Sequence, residues 1–298
     1  MRQVLDNLLG RTIGLKYTLP NSTIGIPQIS VSNSPDECYN ILSQENDLAQ
    51  IIYNGIIEYS FDENEIDYTK LDVFKKRALI NRLKFDKNAN ESKQLSYGFY
   101  GEILLFLMLQ KFHHVGTLIS RGHFYNPLES SETKGYDTYQ FYETPKGELE
   151  LWFGEVKFHE SYYNAIQQIL TKLEKSLSDD YFTTNIVAME DYVSSISRHE
   201  IHPLIKAWQE DPEINLGLLA HENNIRFVYP MLVIFDDKKK TYDDIIKEVV
   251  IYTNARFTSF SSSFSMKLSL FFMFLPVSSV HNIKELVRAW ILSNQPLI

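Results

Sequence analysis

The 298-residue chain contains one cysteine, Cys38, so it can form no internal disulfide and no cysteine-based structural zinc site. That pattern fits a reducing compartment. No apolar run approaches the roughly 20 residues of a membrane-spanning helix. The longest, 103–109 and 270–277, fall far short. The opening MRQVLDNLLGRTIGLKY lacks the apolar core and small-residue site of a secretory leader. These absences predict a soluble, cytoplasmic protein with no membrane partner. Positive charge is also scarce, with 29 Lys and Arg against 38 Asp and Glu and a net charge of −9. Unaided capture of nucleic acid is disfavoured, because neutralising phosphates takes clustered cations. A nucleic-acid enzyme whose substrate is delivered by another protein is not excluded. A Gly-rich phosphate loop, a G-x-S-x-G elbow and a His pair at metal-ligand spacing are all missing. So are internal repeats and low-complexity tracts.

What is present is apolar and aromatic. Hydrophobic residues make up 44% of the chain, with 18 Tyr and 19 Phe, enough for one large core or two modest ones. Residues 19–36 read as a loop with some strand character, and a mostly helical region follows. It ends in KLDVFKKRALINRLKFDK (70–87), a basic stretch in an acidic chain. Lys75, Lys76, Arg77, Arg82 and Lys84 are candidate contacts to DNA or a partner there, although such runs are often only a solvated helix face. The polar segment 85–96 reads as a linker, dividing a candidate partner-docking region (1–95) from a second domain (96–298). In that domain 97–114 is apolar all round, hence a buried helix. Strands follow between 115 and 158, and 161–177 has amphipathic helix spacing. A helical region over 185–220, a strand at 225–237, a helix at 241–253 and a strand at 267–277 come next. A final helix opens near Asn282, with Glu285 as a capping-box partner. The order predicts an α/β (α+β) fold, a mixed sheet with helices on both faces.

Within LWFGEVKF (151–158), Glu155 and Lys157 interrupt a strand that is otherwise apolar. Buried charge is costly unless it is paired, hydrogen-bonded or metal-bound. Upstream, Thr144-Pro145-Lys146-Gly147 carries a type I turn signature. Folding the strands about Lys146 sets Asp137 opposite Glu155, at about 4.5–5.5 Å between Cβ atoms. Two carboxylates that close need a proton or a cation between them. The pattern points to a divalent metal on Asp137 and Glu155, with Lys157 aimed at the same spot. All-oxygen ligation suits Mg²⁺, with Mn²⁺ able to substitute. Glu102, the lone carboxylate in GEILLFLML, needs a partner and joins the candidates. A plain ion pair between Glu155 and Lys157 on an exposed strand is the bland alternative, disfavoured by the apolar flanks. His159 reads as a capping or surface residue, and His113 and His114 as helix-terminal cations.

The arrangement resembles the PD-(D/E)XK nuclease superfamily. The matching parts are a helical Glu102, Gly135-Tyr136-Asp137 after a turn, Glu155-Val156-Lys157 on the next strand, and the helix of 161–177. Tyr136 stands where that pattern often has Pro. No Tyr follows Gln167 or Gln168 by four residues, so a Q-x-x-x-Y signature is missing. YGFYGEILLFLML, KGYD and LWFGEVKF are similar, more narrowly, to the HamA family of nuclease subunits of Hachiman anti-phage defence systems. That resemblance implies a restriction-endonuclease-like fold and catalytic Glu102, Asp137, Glu155 and Lys157. It further implies metal held by Asp137, Glu155 and Val156, a DNA substrate and a superfamily 2 helicase partner. The alternative in a different class is an inactive nuclease-like fold that binds a partner or clamps DNA.

Overall fold

The two apolar runs near the C-terminus form the centre of the fold. It is seen in a computed structural model that describes all residues except 22, 121–124, 127–130, 133–134, 190–200 and 258–261. Arg226–Asp236 (β9) and Lys267–Val277 (β10) pair in parallel over eleven residues. Their near-continuous apolar composition is that of strands buried on both faces. Beyond β10 lie Glu37–Ile41 (β2), parallel to it, and the edge strand Ile13–Thr18 (β1), antiparallel to β2. On its other side β9 takes two partners in succession, Leu149–Trp152 (β7) and then Glu155–Phe158 (β8), both parallel. Gln140–Glu143 (β6) pairs antiparallel with β7, and Gly116–Thr117 (β3) with β6. The result is a mixed eight-stranded sheet. Tyr125–Asn126 (β4) and Ser131–Glu132 (β5) form a separate small ladder.

Helices cover both faces, as the sequence predicts. Phe227, Tyr229, Met231, Val233 and Phe235 of β9 face one layer. It comprises Tyr162–Ser176 (α7), Asp179–Val187 (α8), His202–Glu210 (α9), Leu216–Glu222 (α10) and Tyr242–Arg256 (α11). Val228, Leu232 and Ile234 face the other. That layer comprises Gln3–Thr12 (α1), Glu45–Asn54 (α2), Ile56–Ser60 (α3), Leu71–Arg77 (α4), Phe99–His113 (α6) and Val280–Ser293 (α12). No helix among the described residues is long and apolar enough to cross a membrane.

Several elements differ from expectation. The N-terminal region, expected to be mostly helical, contributes β1 and β2 to the sheet. Elements from both sides of residue 95 therefore share one sheet and one helical layer. The expected linker contains Glu91–Leu95 (α5), where Asn90 accepts the Lys93 N–H. Its Gln94 is buried, donating to Asp86 O and Lys87 O and accepting from Arg288 Nε at 2.6 Å. The last helix starts at Val280, two residues ahead of Asn282. Ser279 caps it, because the buried stripe Val280, Ile283, Val287 and Ile291 begins there. Part of the helical region expected over 185–220 falls at 190–200, outside the described residues. The loop before β2 is fastened by buried Asp36, which accepts from Ser32 Oγ (2.6 Å), Phe272 N (2.7 Å) and Ile29 N (3.4 Å). Burial pushes the Asp36 carboxyl up to about 6 despite these donors.

Candidate active site

The site begins at the turn. Gly147 N–H donates to Thr144 O at 2.8 Å, and Gly147 has φ +77°, a region that glycine occupies without steric cost. The turn sets the register of β6 on β7, from Glu143 with Leu149 to Gln140 with Trp152, as the sequence predicts. The ladder does not continue to Asp137 and Glu155. After Phe153 and Gly154 the chain leaves β6, and β8 pairs with β9, Glu155 beside Met231 and Lys157 beside Val233. Asp137 instead sends its N–H to Gly154 O at 2.9 Å and accepts the Val156 N–H on Oδ2 at 2.7 Å. A side-chain carboxylate thus satisfies an N–H that a neighbouring strand would otherwise pair.

Strand alternation then sorts the side chains. Val156 and Phe158 face α6. Glu155 and Lys157 point to the opposite face, toward α7. Glu155 is 3% exposed, and its Oε1 accepts from Lys157 Nζ and, at 3.3 Å, from Lys172 Nζ of α7. Lys157 Nζ also donates to Val156 O at 3.1 Å. Glu102, in the first turn of α6, accepts the hydroxyl of Tyr59 from α3. Helix α6 comes this close to β8 because residue 101 is glycine. A Cβ there would lie 3.0 Å from Val156 Cγ2 and 3.2 Å from Phe158 Cβ.

The electrostatics join these groups. The Asp137 carboxyl is held well above the usual carboxylate range by burial, then by the negative charges of Glu155 and Glu102. Lys157 and the Val156 N–H pull the other way. Buried Tyr229 has its phenol pushed up by burial and by the charges of Glu155 and Asp137. Among the described residues no group of three or more His, Cys, Asp or Glu side chains is placed to hold a metal ion. Asp137, Glu155 and the Val156 carbonyl offer a smaller oxygen set. Mg²⁺, which keeps several waters and commonly takes one or two carboxylates plus substrate phosphate, is the ion such a set could hold. Burial raises the Asp137 carboxyl first, and the charges of Glu155 and Glu102 add a repulsion that a cation would relieve.

Other candidates settle elsewhere. His159 Nδ1 accepts the Ser161 N–H at 2.9 Å, a local bond at the start of α7. His113 lies 3.1 Å from Glu37, and His114 ends α6 in the left-handed region. Lys75, expected among the contact residues, is fully buried, donating to Gln295 O and pairing with Asp72 at 3.2 Å. Its helix face turns inward onto the Tyr53 ring, so Lys75 is not offered to DNA or a partner. Lys76 and Arg77 are exposed, and Arg82 and Lys84 are partly buried. Arg77 stacks over Phe74 and Phe61, and Arg82 over Phe61. Two site neighbours escaped the sequence reading, Tyr59 and Lys172. Lys172 follows Gln168 by four residues, the position of the tyrosine in a Q-x-x-x-Y signature.

The HamA family model matches residues 28–291 of the chain. No curated protein and no solved structure matches it.

Proposed function

The chain belongs to the HamA family, a component of Hachiman anti-phage defence, and from that premise we propose that it is a Mg²⁺-dependent deoxyribonuclease. It hydrolyses phosphodiester bonds with little sequence preference. The observation that carries this reading is the buried Glu155 with Lys157 beside it, next to an Asp137 carboxylate seated on the intervening Val156 N–H. Asp137, Glu155 and the Val156 carbonyl would hold Mg²⁺, or Mn²⁺ in its place. When bound, the metal would neutralise phosphate charge and make a bound water more acidic. Lys157, beside Glu155 on the same strand face, would orient the attacking water. Glu102, steadied by Tyr59, adds negative charge from the α6 side. The test is plasmid cleavage by the full chain with its partner. Nicking in Mg²⁺ that EDTA stops is expected, whereas metal-independent DNA binding without cleavage would indicate a clamping subunit.

A superfamily 2 helicase is the partner that fits an acidic nuclease needing its DNA delivered in the cytoplasm. The docking face we favour is that of α4 and the turn after it. There Lys76 and Arg77 stand between Val73 and Ile80, which are 52% and 61% exposed. Reversing Lys76, Arg77 and Arg82 to Glu should weaken co-purification with the helicase. If the face meets DNA instead, assembly survives and the salt dependence of DNA binding flattens. A variant equal to wild type in assembly, DNA binding and cleavage would reduce the segment to a solvated helix.

A further inference from the structure

Lys172 is the second ammonium on a single carboxylate oxygen. Lys157 and Lys172 both donate to Glu155 Oε1, one cation more than that carboxylate's charge requires. The two are not equivalent. The Lys157 side chain is 17% exposed and also holds Val156 O, whereas the Lys172 side chain is 58% exposed. Lys172 also ends a polar face of α7. Asn164, Gln167, Gln168 and Thr171 recur with it at helical spacing and line with it an open groove of about 400 Å³, from which Lys172 reaches Glu155. The amides of Asn164, Gln167 and Gln168 make no side-chain hydrogen bond among the described residues, and the Thr171 hydroxyl turns back on Gln167 O. Uncharged amides in a row, with a cation at the inner end, match a sugar–phosphate backbone better than a protein surface.

We propose that Lys172 is a substrate-binding residue that leaves Glu155 to contact the phosphate neighbouring the scissile one, on a DNA strand lying in the α7 groove. The proposal rests on the nuclease reading above. Any divalent cation on Glu155 would repel both ammonium groups. The exposed one, on a long flexible stem, is the one free to leave. A strand in the groove then meets it within reach of Lys157, and the amides add contacts that carry no sequence preference.

The test uses the chain in complex with its helicase, a single-stranded oligonucleotide, and Ca²⁺ in place of Mg²⁺ to hold binding apart from cleavage. Lys172→Gln is expected to weaken binding about tenfold and lower the slope of log Kd against log salt by about 0.7, one phosphate contact on a single strand. Lys172→Arg should restore the slope. In Mg²⁺, Lys172→Gln should raise KM about tenfold with a smaller change in kcat. A Lys172→Gln protein with the wild-type slope and KM would overturn the proposal, leaving Lys172 as a neutraliser of Glu155. The nuclease reading would then still stand or fall on wild-type cleavage in Mg²⁺. A fall in kcat alone would overturn it too. If the wild type cut nothing while Lys172→Gln flattened the slope, the phosphate contact would survive and the nuclease reading would not.

Discussion

Glu155→Ala and Lys157→Ala are each expected to lower Mg²⁺-dependent cleavage by the helicase-bound chain about 10³-fold, with unchanged circular dichroism. Phosphoryl transfer rests on charge neutralisation and positioning, so losing either group removes what the transition state needs most. The two variants should differ in stability. Lys157→Ala leaves Glu155 still paired with Lys172, although the mostly buried stem of Lys157 is lost with its ammonium. Glu155→Ala leaves the Lys157 ammonium its bond to Val156 O but no hydrogen-bonded carboxylate among the described residues. Breaking a buried pair from the acidic side therefore lowers the melting temperature more. Removal of the pair's own desolvation cost limits the loss, so both variants should remain folded. Either variant nicking DNA at the wild-type rate while folded would remove the site from this strand.

The second large effect belongs to a residue with no functional group. Gly101→Val would drive methyl groups toward Val156 and Phe158, where a Cβ alone is already in tight contact, and is expected to push α6 off β8. Overpacking of this kind costs about 1–3 kcal/mol. Cleavage should fall as well, about 100-fold even under conditions where the variant is fully folded, because α6 carries Glu102 and catalysis is sensitive to shifts near 1 Å. Thermal melting and single-turnover cleavage of the same preparation separate the two losses. Activity that falls only in step with the unfolded fraction would make Gly101 a packing residue and nothing more.

The parts of the fold that were legible in the sequence had strong periodicity or a turn with one solution. The long apolar runs of β9 and β10 could be little else than buried strands, and Pro145 with Gly147 fixed how β6 meets β7. Glu155 and Lys157 stood out because charge inside an apolar strand demands a reason. Edge and context hid the rest. In β1, IGLKYT, only Ile13 is buried, so no inward–outward alternation marks it as a strand. The split of the ladder after Trp152 was invisible because it depends on β9, 76 residues on, capturing β8. Lys75 looked like a surface cation because local sequence cannot report that Gln295, far along the chain, would cover it. Lys172 looked like one more charge on an amphipathic helix, and only the closeness of α7 to Glu155 distinguishes it.

The joint at Phe153 and Gly154 constrains which length changes this chain can tolerate. Both β7 and β8 lie on β9, and odd-numbered side chains from Leu149 to Lys157 share one face through the joint. One inserted residue there would rotate β8 by half a pleat, aiming Glu155 and Lys157 at Gly101 and offering Val156 and Phe158 to Lys172. The 144–147 turn has no such grip, and an insertion there only lengthens a surface hairpin. Among related chains, gaps should therefore collect at the turn, while the count of residues from the hairpin to Glu155 stays fixed in parity. A relative that breaks that parity would keep the letters E-x-K and lose the site.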